Sequence, residues 1–344
     1  MGAMAHDGAE KFREVKVAEG LFDDEVIYVS AQGSRIGIDG GRIVVTTADK
    51  QEAMSSFPVE KVRTVNVFGN VSVSTPFLAS CGKAGMSVNY FTWYGKYVGS
   101  FVPEQNTIAE VRRRQASLKK DQALMIARAI VGAKIRNSRT LLSRKKVRPP
   151  ERMKILEADV HSAGNMSQLH GIEGEAAALY FGCLDKCLIE EWTFEKRTRR
   201  PPQDHINSLL SLTYAMMKNE VMSALRQYNL DPFIGVMHTD RHGRPALALD
   251  LMEEFRPIFC DAFTVRLVNQ RILDHGDFTA ENRLKEHALK KYFSQFDSYM
   301  KETFMHPKFR YTVTRRRAVV MQAILLRKAI VGEMKWYHPL TFMR

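Results

Sequence analysis

Two kinds of apolar pattern divide this chain. Val26-Ile27-Tyr28-Val29, Arg35-Ile36-Gly37-Ile38, Arg42-Ile43-Val44-Val45 and the run from Val62 to Phe68 are rich in β-branched and aromatic residues and predict strands. Asp39-Gly40-Gly41 between two of them signals a hairpin. Val71 to Ser74 and Val88 to Trp93 continue the strand pattern, with turns at Gly69-Asn70 and Tyr94-Gly95-Lys96. From near Thr107 the period changes. Leu118, Leu124, Ile126, Ala127, Ile130, Val131 and Ile135 recur at helical spacing. Further helices are predicted over 155–191, from Asn207 behind a cap at Asp204, after Asp261, and over Val319 to Ile330. The pattern predicts an α+β fold in two segregated domains: a small N-terminal β domain over 20–103 and a larger all-α domain over 104–344. Residues 1–19 read as a tag-like or disordered N-terminus.

Composition narrows this picture. A chain of 344 residues, 45% apolar and 26% charged, suits an ordinary soluble protein with a sizeable core. No apolar run reaches the length of a membrane span and no signal peptide is visible, so a cytoplasmic location is expected. Cys81, Cys183, Cys187 and Cys260 form no Cys-x-x-Cys pair, which argues against a zinc module and for a reducing compartment. The net charge of +13 is unevenly spread. Residues 1–103 hold 10 Lys/Arg against 11 Asp/Glu, whereas the stretch from Val111 to Pro150 holds 13 against one acid, Asp121. Like charges at helical spacing repel, and phosphates would relieve that repulsion, so a nucleic-acid surface is expected there. Arg112, Arg113, Lys134 and Arg139 belong to this stripe. Arg197, Arg199 and Arg200 lie on a proline-restrained loop ahead of Asn207 and Tyr214, an arrangement suited to positioning phosphates.

The candidate chemistry lies in 235–257. His238 falls on a loop, and Gly243-Arg244-Pro245 reads as a turn that opens a helix. On that helix Asp250 and Glu253 share a face, beside the apolar stripe of Leu247, Leu251 and Phe255. An imidazole and two carboxylates suit a hard divalent cation such as Mg²⁺ or Mn²⁺, and Glu173 upstream offers a further carboxylate. Other assignments remain open at this stage. Glu253 can pair with Arg256, Glu173 can be a first-turn acid favoured by the helix dipole, and Glu254 reads as a surface residue. His238-x-x-x-His242 admits zinc but lacks cysteine partners. A stand-alone metal-dependent nuclease and a catalytically silent DNA-binding scaffold fit the same residues.

Several segments, in order, resemble the CRISPR-associated spacer-acquisition integrase and endonuclease family, nearest to versions from type I systems such as subtype I-C. They are Ile27-Tyr28-Val29 with Val67 to Ser74, Gln115 with Ala127 to Asn137, Gly171-Ile172-Glu173-Gly174 with Tyr180-Phe181, Arg197 to Asn207 followed by Tyr214, and Asp231 to Gly235 through His238 to Pro257. The resemblance implies that Glu173, His238 and Glu253 bind the metal and that Asp250 is a supporting acid of the catalytic set. Some family members carry aspartate in place of Glu253. The resemblance further implies that a 3′-hydroxyl of a new spacer attacks a phosphodiester at a CRISPR repeat edge. DNA would be held by Arg112, Arg113, Lys134, Asn137, Arg139, Arg197, Arg199, Arg200, Asn207 and Tyr214. The implied partners are double-stranded DNA, a second copy of the chain joined through the β domain, and a small second adaptation subunit bridging two dimers.

Overall fold

Two four-stranded sheets build the N-terminal third. A computed structural model describes residues 25–47, 53–93, 97–103, 109–198, 201–239 and 241–342. The tag-like stretch, the Tyr94-Gly95-Lys96 turn, Arg199 and Arg200 lie outside the described residues.

Strands β1 (Glu25–Val29), β5 (Val62–Phe68), β7 (Ser87–Phe91) and β8 (Tyr97–Phe101) form one sheet in that order, parallel except for the last pair. Strands β4 (Ala53–Pro58), β3 (Arg42–Thr46), β2 (Arg35–Asp39) and β6 (Ser72–Val73) form the other. The Asp39-Gly40-Gly41 hairpin joins β2 to β3 antiparallel, both glycines at positive φ. The predicted strand over 71–74 is cut to two residues. Ser74 instead caps helix α1 (Thr75–Ala84), its hydroxyl accepting from the Phe77 amide, with Pro76 in the first turn.

The remainder is helical: α2 (Ala109–Ala116), α3 (Lys120–Arg144), α4 (Glu151–Asp159), α5 (Met166–Leu184), α6 (His205–Gln227), α7 (Ala246–Met252), α8 (Ala262–Asn269), α9 (Glu286–Lys301) and α10 (Arg315–Ile330). One addition to the all-α expectation is a small hairpin, β9 (Thr303–Met305) with β10 (Thr312–Thr314). Apolar positions along α3, α6, α9 and α10 converge in one large core. That core also receives Phe68 and Phe91 from the β domain, with the Phe68 ring 4.0 Å from that of Phe293. Arg316, buried beside Glu220 and Asp297 at 3.1 Å each, ties α10 to α6 and α9 and reaches the Tyr28 hydroxyl of β1. The β region and the helical region are therefore joined by packing as well as by chain connectivity.

The C-terminal tail returns beneath α7. Asn137, fully buried in α3, donates to the carbonyls of Glu254 and Leu340. The Glu254 carboxylate accepts from Tyr337 Oη at 2.6 Å and from the Leu340 amide at 2.5 Å. Sequence reading put Glu254 on the surface; it is fully buried because it is the anchor of this tail. Burial outweighs those hydrogen bonds and raises its carboxyl to about 8.

Candidate metal centre and nucleic-acid interface

Four elements deliver the candidate side chains to one place. Helix α5 begins at Met166 under an Asn165 cap, not at Gly171, so Glu173 sits two turns inside it rather than in a first turn. Helix α3 packs alongside and carries Lys134. The loop 231–239 supplies His238, and the turn after α7 supplies Glu253. The loop is held at its start by Gln115, which donates to the carbonyls of Asp231 and Ile234 and accepts from the Asp231 amide. It is held at its end by Asp250, fully buried in α7. Asp250 Oδ2 accepts from the amides of Val236 at 2.7 Å and Met237 at 3.0 Å. Asp250 Oδ1 accepts from the His238 amide at 3.0 Å and lies 2.5 Å from His238 Nδ1. This fixes the imidazole through Nδ1, as carboxylates behind metal-binding histidines do, and makes Nε2 the nitrogen available to a ligand. Gly235 is required by close approach: a Cβ there would lie 2.6 Å from the His238 carbonyl and 2.7 Å from Ala246 Cβ.

Glu173 and Glu253 converge on one cation, the ammonium of Lys134. Its Nζ is 2.6 Å from Glu173 Oε1 and 2.7 Å from Glu253 Oε2. Glu253 is almost wholly buried, and its other oxygen lies 3.2 Å from Arg256, the pairing expected at i, i+3. Burial raises the Glu253 carboxyl, but Arg256 and Lys134 outweigh it and hold the carboxyl well below the usual range. Lys134 is pushed down by burial and up by the two acids, with a net rise.

These residues fit a divalent cation. Two carboxylate oxygens already flank one positive charge, Glu253 Oε2 is buried with Lys134 as its close partner, and a fixed imidazole stands nearby. Oxygen-rich ligation with one nitrogen suits Mg²⁺ or Mn²⁺. Among the described residues no three His, Cys, Asp or Glu side chains form a group arranged to hold a metal ion, and Lys134 bridges two of the acids. His242 is exposed, which gives the zinc alternative no support.

Beyond Glu253 the chain makes a π-helical turn over Arg256–Asp261, with Pro257 lacking an N–H for the ladder. The turn aims Arg256 at Glu253 and carries Asp261 under Tyr180 and Tyr214, whose hydroxyls donate to it at 2.7 and 2.6 Å. Burial raises the Asp261 carboxyl to about 6. A cavity of about 50 Å³ opens among Lys134, Glu173, Tyr180, Tyr214 and Arg256. Neither Lys134 as the acids' partner nor the Asp261 anchor was evident beforehand; only the helical spacing of Glu173 to Tyr180 hinted that they share a face.

A model of the family described as CRISPR associated protein Cas1 matches residues 27–298. The chain belongs to the Cas1 family. It is 53% identical over 338 residues to the CRISPR-associated endonuclease Cas1 4 of Methanospirillum hungatei, covering 98% of this chain and 97% of that one. The solved Cas1 structure from Thermotoga maritima superimposes with a TM-score of 0.79 at 27% identity, over 93% of this chain and all of that one. A casposase bound to its integration product shares the fold, with a TM-score of 0.81 at 18% identity over 93% and 94% of the two chains. The family expected from the motifs and the division into a β region followed by a mainly helical one are both borne out.

Within this Cas1 fold the residues expected to touch DNA scatter. Arg112 and Arg113 are exposed on α2. Lys134 faces the acids, and Asn137 is the buried tail anchor. Arg139 is paired with Glu157. Arg197 turns inward, donating to Asn207 Oδ1 at 2.8 Å and Ser211 Oγ at 3.1 Å. Asn207 is fully buried, donating to the Lys196 carbonyl and to Asp204. Asn137 and Asn207 are the two of these that burial takes away from any ligand, because a polar residue on a packed helix face serves the fold first. Tyr214 lies between the guanidinium groups of Arg197 and Arg256, 5.3 and 5.0 Å from its ring centre. The stripe's outward-facing part is a groove lined by Arg139, Lys146, Arg148 and Lys154. No helix among the described residues is long and apolar enough to cross a membrane.

Proposed function

We propose that this protein is a metal-dependent DNA integrase and endonuclease of CRISPR adaptation. It would join a spacer 3′-hydroxyl to a phosphodiester at the edge of a CRISPR repeat by direct transesterification. A P–O bond forms to the incoming hydroxyl as the repeat strand's P–O bond breaks, and the hydroxyl proton passes to the leaving oxygen or to solvent. The observation that carries this reading is the convergence of Glu173 and Glu253 on one cation position beside His238.

Glu173, Glu253 and His238 Nε2 would hold Mg²⁺ or Mn²⁺. When bound, that ion polarises the scissile phosphate and stabilises charge on the leaving oxygen. Asp250 belongs to the catalytic set as the residue that keeps His238 in position. Arg256 holds the outer oxygen of Glu253, so that carboxylate enters the reaction already ionised and aimed. Such a site works by alignment and charge stabilisation rather than by a covalent nucleophile.

Double-stranded DNA is taken along the basic face. Arg112 and Arg113 are exposed there, and the groove bearing Arg139 starts about 7–8 Å along α3 from Lys134, five residues at about 1.5 Å each. The neutral β domain, which exposes Met54 and Val98, is the surface proposed to join a second copy. Two such dimers would be bridged by the small second adaptation subunit, in a prokaryotic cytoplasm. The test is an integration assay with that subunit, a spacer-end duplex and a repeat-bearing plasmid, with and without Mn²⁺. Joined product is expected from the wild type only with metal. Glu173→Ala, His238→Ala and Glu253→Ala should abolish it while DNA binding persists; wild-type joining by any of the three removes that residue from the site. Cutting without joining would favour a stand-alone nuclease.

A further inference from the structure

Lys134 stands where a bound cation would stand. It lies midway along α3, 15% exposed, with no alternative partner as near as the two acids. Among the described residues its ammonium is the one close cationic contact of Glu253 Oε2, an oxygen otherwise buried without a partner. A divalent ion ligated by both carboxylates would sit about 2.1 Å from each oxygen. That volume is already taken by the ammonium, and the two cations repel. One therefore excludes the other. Arg256 is different, because it contacts the outer oxygen of Glu253 and can stay in place. A way out exists: the cavity of about 50 Å³ adjoins Lys134 and has room for one group the size of a water.

Resting on the metal reading above, we propose that Lys134 is a tethered competitor of the divalent ion. In its absence the ammonium holds Glu173 and Glu253 together, compensating Glu173 and the inner oxygen of Glu253 that Arg256 does not reach. Metal entry displaces it toward the cavity. The displaced charge stays beside the site, where an anionic phosphate must come. A purely structural lysine would instead keep its place whether or not metal is present.

Mn²⁺ binding to the full chain is measured by calorimetry for the wild type, Lys134→Gln and Glu173→Gln. In parallel, reductive methylation of Lys134 in the wild type is followed by mass spectrometry with and without Mn²⁺. Lys134→Gln is expected to bind Mn²⁺ on the order of ten-fold more tightly, the size typical of coupled binding events. Mn²⁺ should also speed Lys134 labelling several-fold. Equal or weaker binding by Lys134→Gln, or unchanged labelling in Mn²⁺-saturated wild type, overturns the competition while leaving the metal site standing. If Lys134→Gln does not fold without metal, the wild-type labelling decides alone. Absent Mn²⁺ binding, or binding that survives Glu173→Gln, overturns the metal reading itself and the competition with it.

Discussion

Asp250→Asn should open the His238 loop without unfolding the domain. Both carboxylate oxygens are used: Oδ2 by the amides of Val236 and Met237, Oδ1 by the amide and Nδ1 of His238. An asparagine must turn its NH₂ toward one of these pairs. Facing Val236 and Met237 it orphans two buried donors; facing His238 it orphans at least the backbone amide. Each orphaned donor costs about 1–3 kcal/mol. The variant takes the cheaper orientation, so the loop is destabilised by at least about 1–3 kcal/mol. The low end alone is about a five-fold rise in the open population. Hydrogen exchange reads it directly: the amides of Val236, Met237 and His238 should exchange at least about five-fold faster, while the buried centre of α6 keeps its protection. Unchanged protection at Val236 and Met237 would refute the claim that Asp250 holds the loop. Equal acceleration in α6 would show a global effect rather than a local one.

Glu254→Gln tests the tail anchor through pH. The folded carboxyl holds its proton to about 8, whereas the unfolded one releases it near the ordinary glutamate value of 4.5. Between those values the folded state binds more protons, so wild-type stability falls as pH rises, by up to about 1.4 kcal/mol per unit. Denaturant midpoints of Glu254→Gln should lack that decline, and parallel pH profiles for the two proteins would contradict it. Gly235→Ala places a Cβ against the His238 carbonyl and Ala246, neither of which can swing away. A stability loss of about 1–3 kcal/mol is expected by chemical denaturation, with integration impaired; wild-type values in both would remove the close-approach argument. Replacing Arg112 and Arg113 by Gln should flatten the slope of log DNA affinity against log salt by about 0.9 for each true phosphate contact. An unchanged slope takes α2 off the DNA surface.

What the sequence made legible was whatever had a local period. The strands β2, β3 and β5, the hairpin glycines, the Asp204 cap and α3 follow from adjacent residues. Helix α1 was missed because Ser74-Thr75-Pro76 continues a β-branched run, and only the hydroxyl's bond to Phe77 reveals a cap. Strand β4 carries few large apolar residues, and Gly99-Ser100 interrupts the apolar pattern of β8. The site was legible as a set of residue types, through the motifs around Glu173 and His238. Its wiring was not. Lys134 and Asn137 are one helical turn apart in a basic stretch, yet one meets the acids and the other holds the tail, because α3 is packed on several sides. Net charge along a sequence cannot tell a phosphate-facing lysine from one neutralised inside the fold. Glu253 and Glu254 are neighbours that part in the same way: the first is ionised between Arg256 and Lys134, the second is buried among neutral donors.

The most direct measurement is a crystal soaked in Mn²⁺ and recorded at the manganese absorption edge. A single anomalous peak is expected about 2.1 Å from carboxylate oxygens of Glu173 and Glu253 and within bonding distance of His238 Nε2, with Lys134 Nζ moved away. A peak elsewhere, or saturating Mn²⁺ with no peak among these three side chains, would contradict the convergence on which the proposed chemistry rests.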